Sequence, residues 1–173
     1  MPATPSTGPV AGLYTPEQRA RRDGTVWTLV QGLLAPVQFL VFLASLGLVV
    51  YSLRTGELLG WALGSVVLKT VLLYAIMVTG CIWEKVVFGQ YLFAPAFFWE
   101  DVVSMGVMAL HTAYLVVWLQ GLWTAGEQLA LALTAYAAYA FNAIQYLRKL
   151  RMARLDAEAE LREENRTLAE VIA

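Results

Sequence analysis

Between Gly24 and Leu147 the chain carries only eight Asp, Glu, Lys or Arg residues, while the rest of its charge crowds into the two ends. This segregation restricts the fold more than any other feature. Charge in hydrocarbon is costly and collects outside it, so a bilayer sorts a sequence in this way. A water-soluble domain needs about 25% charged residues to cover its surface. Here 14% are charged and 59% hydrophobic, with a mean hydropathy of +0.60. At 173 residues the chain is read as one membrane domain with tails.

Four runs are nearly free of charge: Gly24 to Leu53, Leu58 to Trp83 with Lys69 inside it, Val102 to Gly126 with His111, and Gln128 to Leu147. Each reaches the ~20 residues that cross ~30 Å of hydrocarbon as a helix. Helix is expected because backbone polar groups in lipid must be satisfied within their own segment. The fold class is therefore all-α, a polytopic bundle of about four transmembrane helices. The stretch from Val86 to Trp99 is apolar and aromatic but too short to span. It contains Gly89 and Pro95, and is expected as an interfacial or re-entrant segment between helices two and three.

Residues 1–14, rich in Pro, Thr, Gly and Ser, are expected as a disordered tail with no signal-peptide core. Thr15, Pro16 and Gln18 predict the capped start of a short surface helix. Residues 15–147 make the membrane domain, and 148–173 a charged helical tail. Arg19, Arg21 and Arg22 before the first span, and Arg148, Lys149, Arg151 and Arg154 after the fourth, place both termini in the cytoplasm. In the tail, Leu147, Leu150, Arg154, Ala157, Leu161, Glu164, Leu168 and Val171 fall on heptad positions. They suit either a short coiled coil, with a second copy or another enzyme as partner, or an amphipathic helix lying on the membrane. Cys81 stands alone, so neither an intramolecular disulfide nor a cysteine-based metal site is expected.

Glu84-Lys85 and Glu100-Asp101 bracket the aromatic segment and gather three carboxylates and an amine at one mouth of the bundle. Close carboxylates beside apolar walls can divide acid and base roles; they can equally be ion pairs that fix helix ends. On the third span Glu100, Ser104, His111, Tyr114 and Trp118 share one helical face. His111, roughly 16 Å deeper than Glu100, should face the bundle. There it could relay a proton, ligate a metal carried by a ligand, or simply bond a neighbouring helix. Lys69, about 22 Å along its helix from Glu84, could meet an anionic group or snorkel to the far interface. Gln31, Gln38 and Ser45 on the first span, and Tyr136, Tyr139, Asn142, Gln145 and Tyr146 on the fourth, read as interhelical glue. No phosphate loop, dinucleotide fingerprint or His cluster is present. No cofactor of its own, no resident metal and no nucleic-acid partner are expected.

The block from Met77 to Asp101, MVTGCIWEKVVFGQYLFAPAFFWED, resembles the signature of the 2-vinyl bacteriochlorophyllide hydratase family. YTPEQRARRD from Tyr14, WTLVQG from Trp27 and ALHTAY from Ala109 resemble it too. The similarity runs from about Tyr14 to about Leu155 and leaves the acidic tail unassigned. It implies an enzyme that adds water to the C3-vinyl group of chlorophyllide a, or of 3-vinyl bacteriochlorophyllide, to give the 3-(1-hydroxyethyl) product. A separate dehydrogenase would then make the acetyl group. The host would be an anoxygenic phototroph, and the location its inner or intracytoplasmic membrane.

Such a hydration needs one proton donor and one base. Glu100 or Glu84 is expected as the acid and Asp101 as the base or charge stabiliser. Tyr91, Phe98 and Trp99 would stack on the chlorin, and Lys85 or Lys69 would meet its propionate. His111 would relay a proton or ligate the substrate's magnesium. The rival reading is a non-enzymatic pigment-binding or scaffold subunit of a photosynthetic assembly. A small transporter is weaker, because neither paired intramembrane charges nor inverted repeats are evident.

Overall fold

A computed structural model describes residues 13–172, in which all regular structure is α-helical. Residues 1–12, most of the tail expected to be disordered, lie outside the described residues. The helices are α1 (Pro16–Gly24), α2 (Val26–Thr55), α3 (Leu59–Phe88), α4 (Phe98–Leu119) and α5 (Ala125–Ile172). Three of them, α2, α3 and α4, are long and apolar enough to cross a membrane.

Local chemistry sets the boundaries. Thr15 and Gln18 exchange the two hydrogen bonds of a capping box, with Pro16 in the first turn. Gly89 ends α3 at φ +87°, a backbone that glycine adopts without steric cost, and its N–H bonds the Lys85 carbonyl. Thr124 and Glu127 make a second capping box at the start of α5. That accounts for the lone acid in this part of the sequence.

The segment expected from Val86 to Trp99 as one unit is divided. Val86 to Phe88 complete α3, residues 89–97 form a loop, and Phe98 and Trp99 open α4. Apolar side chains that can pack against neighbours extend each helix until Gly89 on one side and Pro95 on the other break it. The expected fourth span and charged tail are one uninterrupted helix, since nothing from Ala125 to Ile172 interrupts it.

Two antiparallel hairpins, α2–α3 and α4–α5, hold the largest contacts and pack against each other. Gln31 donates to Thr79 and Ser45 bonds Ser65 across the first; Asn142 donates to Ser104 across the second. Between them Phe42, Val66, Leu73, Val107, Tyr114, Leu129 and Tyr136 form the core, with Ala62 and Ala132 letting backbones approach. Trp118, expected on the inner face of α4, is 36% exposed, and Val117 is buried instead. A smaller cluster of Tyr14, Val87 and Phe97 closes one end, with Leu13, Trp83, Tyr146 and Ala153 against it.

Candidate active site

At the closed end α3 delivers Glu84, α4 delivers Glu100 and Asp101, and α5 delivers Tyr146 and Lys149. All three carboxylic residues are buried. The Glu84 and Asp101 carboxyl groups are close enough to interact directly. The Phe93 N–H donates to Asp101 Oδ2 at 2.7 Å, and the Ala94 N–H to Glu84 Oε2 at 3.4 Å. Phe93 holds φ at +60°, an uncommon conformation for a bulky residue. The resulting bend offers two successive backbone N–H groups to the pair. The Tyr146 hydroxyl approaches Asp101 Oδ1 at 3.5 Å.

Glu100 is engaged elsewhere. Lys149 donates to both of its carboxylate oxygens at 3.2 Å, an ion pair mostly shielded from water. The expected trio thus divides into an adjacent pair and a third acid held by a cation. Two buried carboxyl groups this close disfavour carrying a charge each, so one of them keeps its proton. Asp101 accepts the shorter N–H bond and the hydroxyl contact, which favours its ionised form, so the geometry leaves the proton on Glu84.

Aromatic rings surround the pair. Phe97 sits among Trp83, Phe88 and Tyr146, and Tyr14 stacks on Phe88 with centroids 5.8 Å apart. Burial pushes the Tyr14 phenol above its ordinary value, opposed by Arg22 beside it. Outside this wall Tyr91, Phe93, Phe98 and Trp99 are exposed, and Phe93, Phe98 and Trp99 form a ladder with spacings of 5.8 and 5.4 Å. Lys85 donates to the Gly89 carbonyl and lies 5.2 Å from the Tyr91 ring.

Lys69 and His111 are not brought to this end. Both are fully buried in the middle of the bundle. His111 lies ten residues beyond Asp101 on α4, about 15 Å at the helical rise. Lys69 does not snorkel: its amine lies 3.7 Å from the centroid of the Tyr139 ring.

The sequence reading missed Tyr14 and the wall's dependence on it, and took Lys149 only as one of the basic residues after the fourth span that set the orientation. Lys149 falls 49 positions from Glu100, a spacing no local pattern reports. Tyr146 was read as glue rather than as a neighbour of Asp101.

The fold and site define a helical protein with an acid pair beside an aromatic wall, suited to proton transfer on an apolar substrate. The chain belongs to the 2-vinyl bacteriochlorophyllide hydratase family, whose model matches residues 14–152. The 2-vinyl bacteriochlorophyllide hydratase of Cereibacter sphaeroides is 65% identical over 159 residues, 92% of this chain and 99% of that one. The protein of the same name from Rhodobacter capsulatus is 61% identical over 160 residues, 92% of this chain and 93% of that one. No solved structure matches the chain.

Proposed function

We propose that Glu84 and Asp101 are the acid and base that hydrate the C3-vinyl group of chlorophyllide a, or of 3-vinyl bacteriochlorophyllide. The chain is a hydratase of bacteriochlorophyll biosynthesis, a hydro-lyase, by its family and its relatives. The observation that carries the residue assignment is the burial of these two carboxyl groups side by side under the Phe93 and Ala94 N–H groups.

Glu84 gives its proton to the terminal vinyl carbon, whose π electrons form the new C–H bond. The positive charge left on the inner carbon spreads into the macrocycle. Water attacks that carbon as Asp101 takes the water's proton. Passing this proton back across the carboxyl pair restores Glu84, so one water is consumed and no net proton. Glu100, neutralised by Lys149, stands beside the pair and shapes its field. Nothing in these steps calls for a cofactor; the magnesium belongs to the substrate.

The exposed ladder of Phe98 and Trp99, with Tyr91 nearby, offers flat apolar area for the chlorin, and Lys85 a cation for its propionate. We assign four spans, the fourth from the first half of α5, in the inner or intracytoplasmic membrane. In support, Tyr14 and Ala153 pack in one cluster, so the start of the described chain and the middle of α5 lie at the same end of the bundle. The Lys and Arg residues at that end favour the cytoplasm.

The test is purified full-length protein in detergent, given chlorophyllide a and no cofactor. A pigment heavier by one water, formed over many turnovers, is the expected result. Pigment bound unchanged by folded protein would instead favour a pigment-binding scaffold.

A further inference from the structure

The mid-bundle polar residues have no part in the steps above, yet they are neither apolar nor fully paired. They form layers. Next to the Asp101–Tyr146 contact, Asn142 donates to Ser104 at 2.8 Å. One layer deeper Gln38 donates to the Tyr139 hydroxyl at 3.3 Å, and the Lys69 amine faces that tyrosine's ring. Deeper still, Ser45 bonds Tyr136 at 2.5 Å, with His111 beside the Tyr136 ring at 6.0 Å between centroids. Ser52 continues the line along α2.

These contacts would be ordinary interhelical glue if they consumed all the polar atoms. They do not. Asn142 Oδ1, Gln38 Oε1, Lys69 Nζ, His111 Nε2 and Ser52 Oγ are all buried without a hydrogen-bond partner. His111 donates from Nδ1 to the Val107 carbonyl, so Nε2 is an acceptor. The orphaned atoms therefore include a strong donor and several acceptors, distributed from layer to layer. Buried polar atoms are nearly always satisfied, and the guest that suits separate donors and acceptors is water, which bridges two to four polar groups.

The reaction adds a reason for a path. Each turnover consumes one water, while the approach to the acid pair past Tyr14, Trp83, Phe88 and Phe97 is apolar. A bound macrocycle on the outer aromatic face would close that side further. We propose that the column from Ser52 through His111, Lys69, Gln38 and Asn142 to Asp101 holds internal water and supplies it to the acid pair. This deepens the hydratase reading and rests on it for its purpose. The presence of water in the column does not depend on turnover.

X-ray radiolytic footprinting of the full-length protein in nanodiscs, without pigment, tests the column directly. Hydroxyl radicals arise wherever water is held, so Tyr136, Tyr139 and His111 should label at least tenfold faster than the comparably buried Phe97 and Tyr14. Labelling as slow as that of the wall would overturn the proposal, whether or not the protein hydrates pigment. In the double variant Gln38→Leu/Lys69→Leu, Tyr139 labelling should fall to the level of Phe97. Its kcat should drop at least tenfold with KM for chlorophyllide a unchanged. A folded, pigment-binding double variant with unaltered kcat would also overturn the supply role. Absent hydration with rapid labelling would leave the column standing and remove the hydratase mechanism instead.

Discussion

The bundle buries ionisable groups at two depths and treats them differently. At the end, Glu84, Glu100 and Asp101 each have partners: one another, two backbone N–H groups, Lys149 and Tyr146. In the middle, the Lys69 amine and His111 Nε2 are buried without a hydrogen-bond partner. A fully partnered cluster holds its atoms in fixed geometry, as a site for proton transfer requires. An incompletely partnered one invites a small polar guest. On the mechanism proposed, the two depths would divide the labour of a hydration, chemistry at the end and supply from the middle.

The sharpest way to break this contrast is to remove the base. Asp101→Asn should lower kcat about a thousandfold, within the range for general acid–base groups, while pigment binding measured by absorbance is kept. Because the carboxyl pair acts as a unit, adding Glu84→Gln to Asp101→Asn should cost little more. Multiplied losses in the double variant would show two independent groups rather than a pair. Tyr146→Phe removes a long hydrogen bond to Asp101, and should lower kcat about tenfold, in line with ~1.5 kcal/mol for a bond to a charged group. Lys149→Met should act mainly on stability, by about 1 kcal/mol in a denaturant titration, because the Lys149 end of the pair stays open to water. Thr124→Ala, far from both depths, should cost about 1 kcal/mol through the lost cap of α5 and leave kcat alone.

Much of this could be read from one sequence because membrane helices report their inner faces. Glu100, Ser104, His111 and Tyr114 are buried as their spacing predicts, and Gln38 and Ser45 bond neighbouring helices. The Thr15 cap was legible for a similar reason: its partners lie three residues apart. Periodicity gives the face of a helix but not which residue of another helix it meets. The division of the acids into the Glu84–Asp101 pair and the Glu100–Lys149 pair therefore stayed hidden. Likewise, the depth of Lys69 followed from counting residues, but its contact with Tyr139 depended on how the two hairpins dock. Tyr14 was obscured by the composition before it, since one aromatic residue at the edge of a Pro- and Gly-rich stretch gives no period.

The most direct test of the central claim compares two single substitutions at neighbouring acids. Glu84→Gln and Glu100→Gln would each be purified, shown to bind chlorophyllide a, and assayed for hydrated product by mass spectrometry. The account predicts that Glu84→Gln loses about a thousandfold in kcat, while Glu100→Gln stays within tenfold of the parent. Full activity in Glu84→Gln, or the larger loss in Glu100→Gln, would contradict the assignment of the acid.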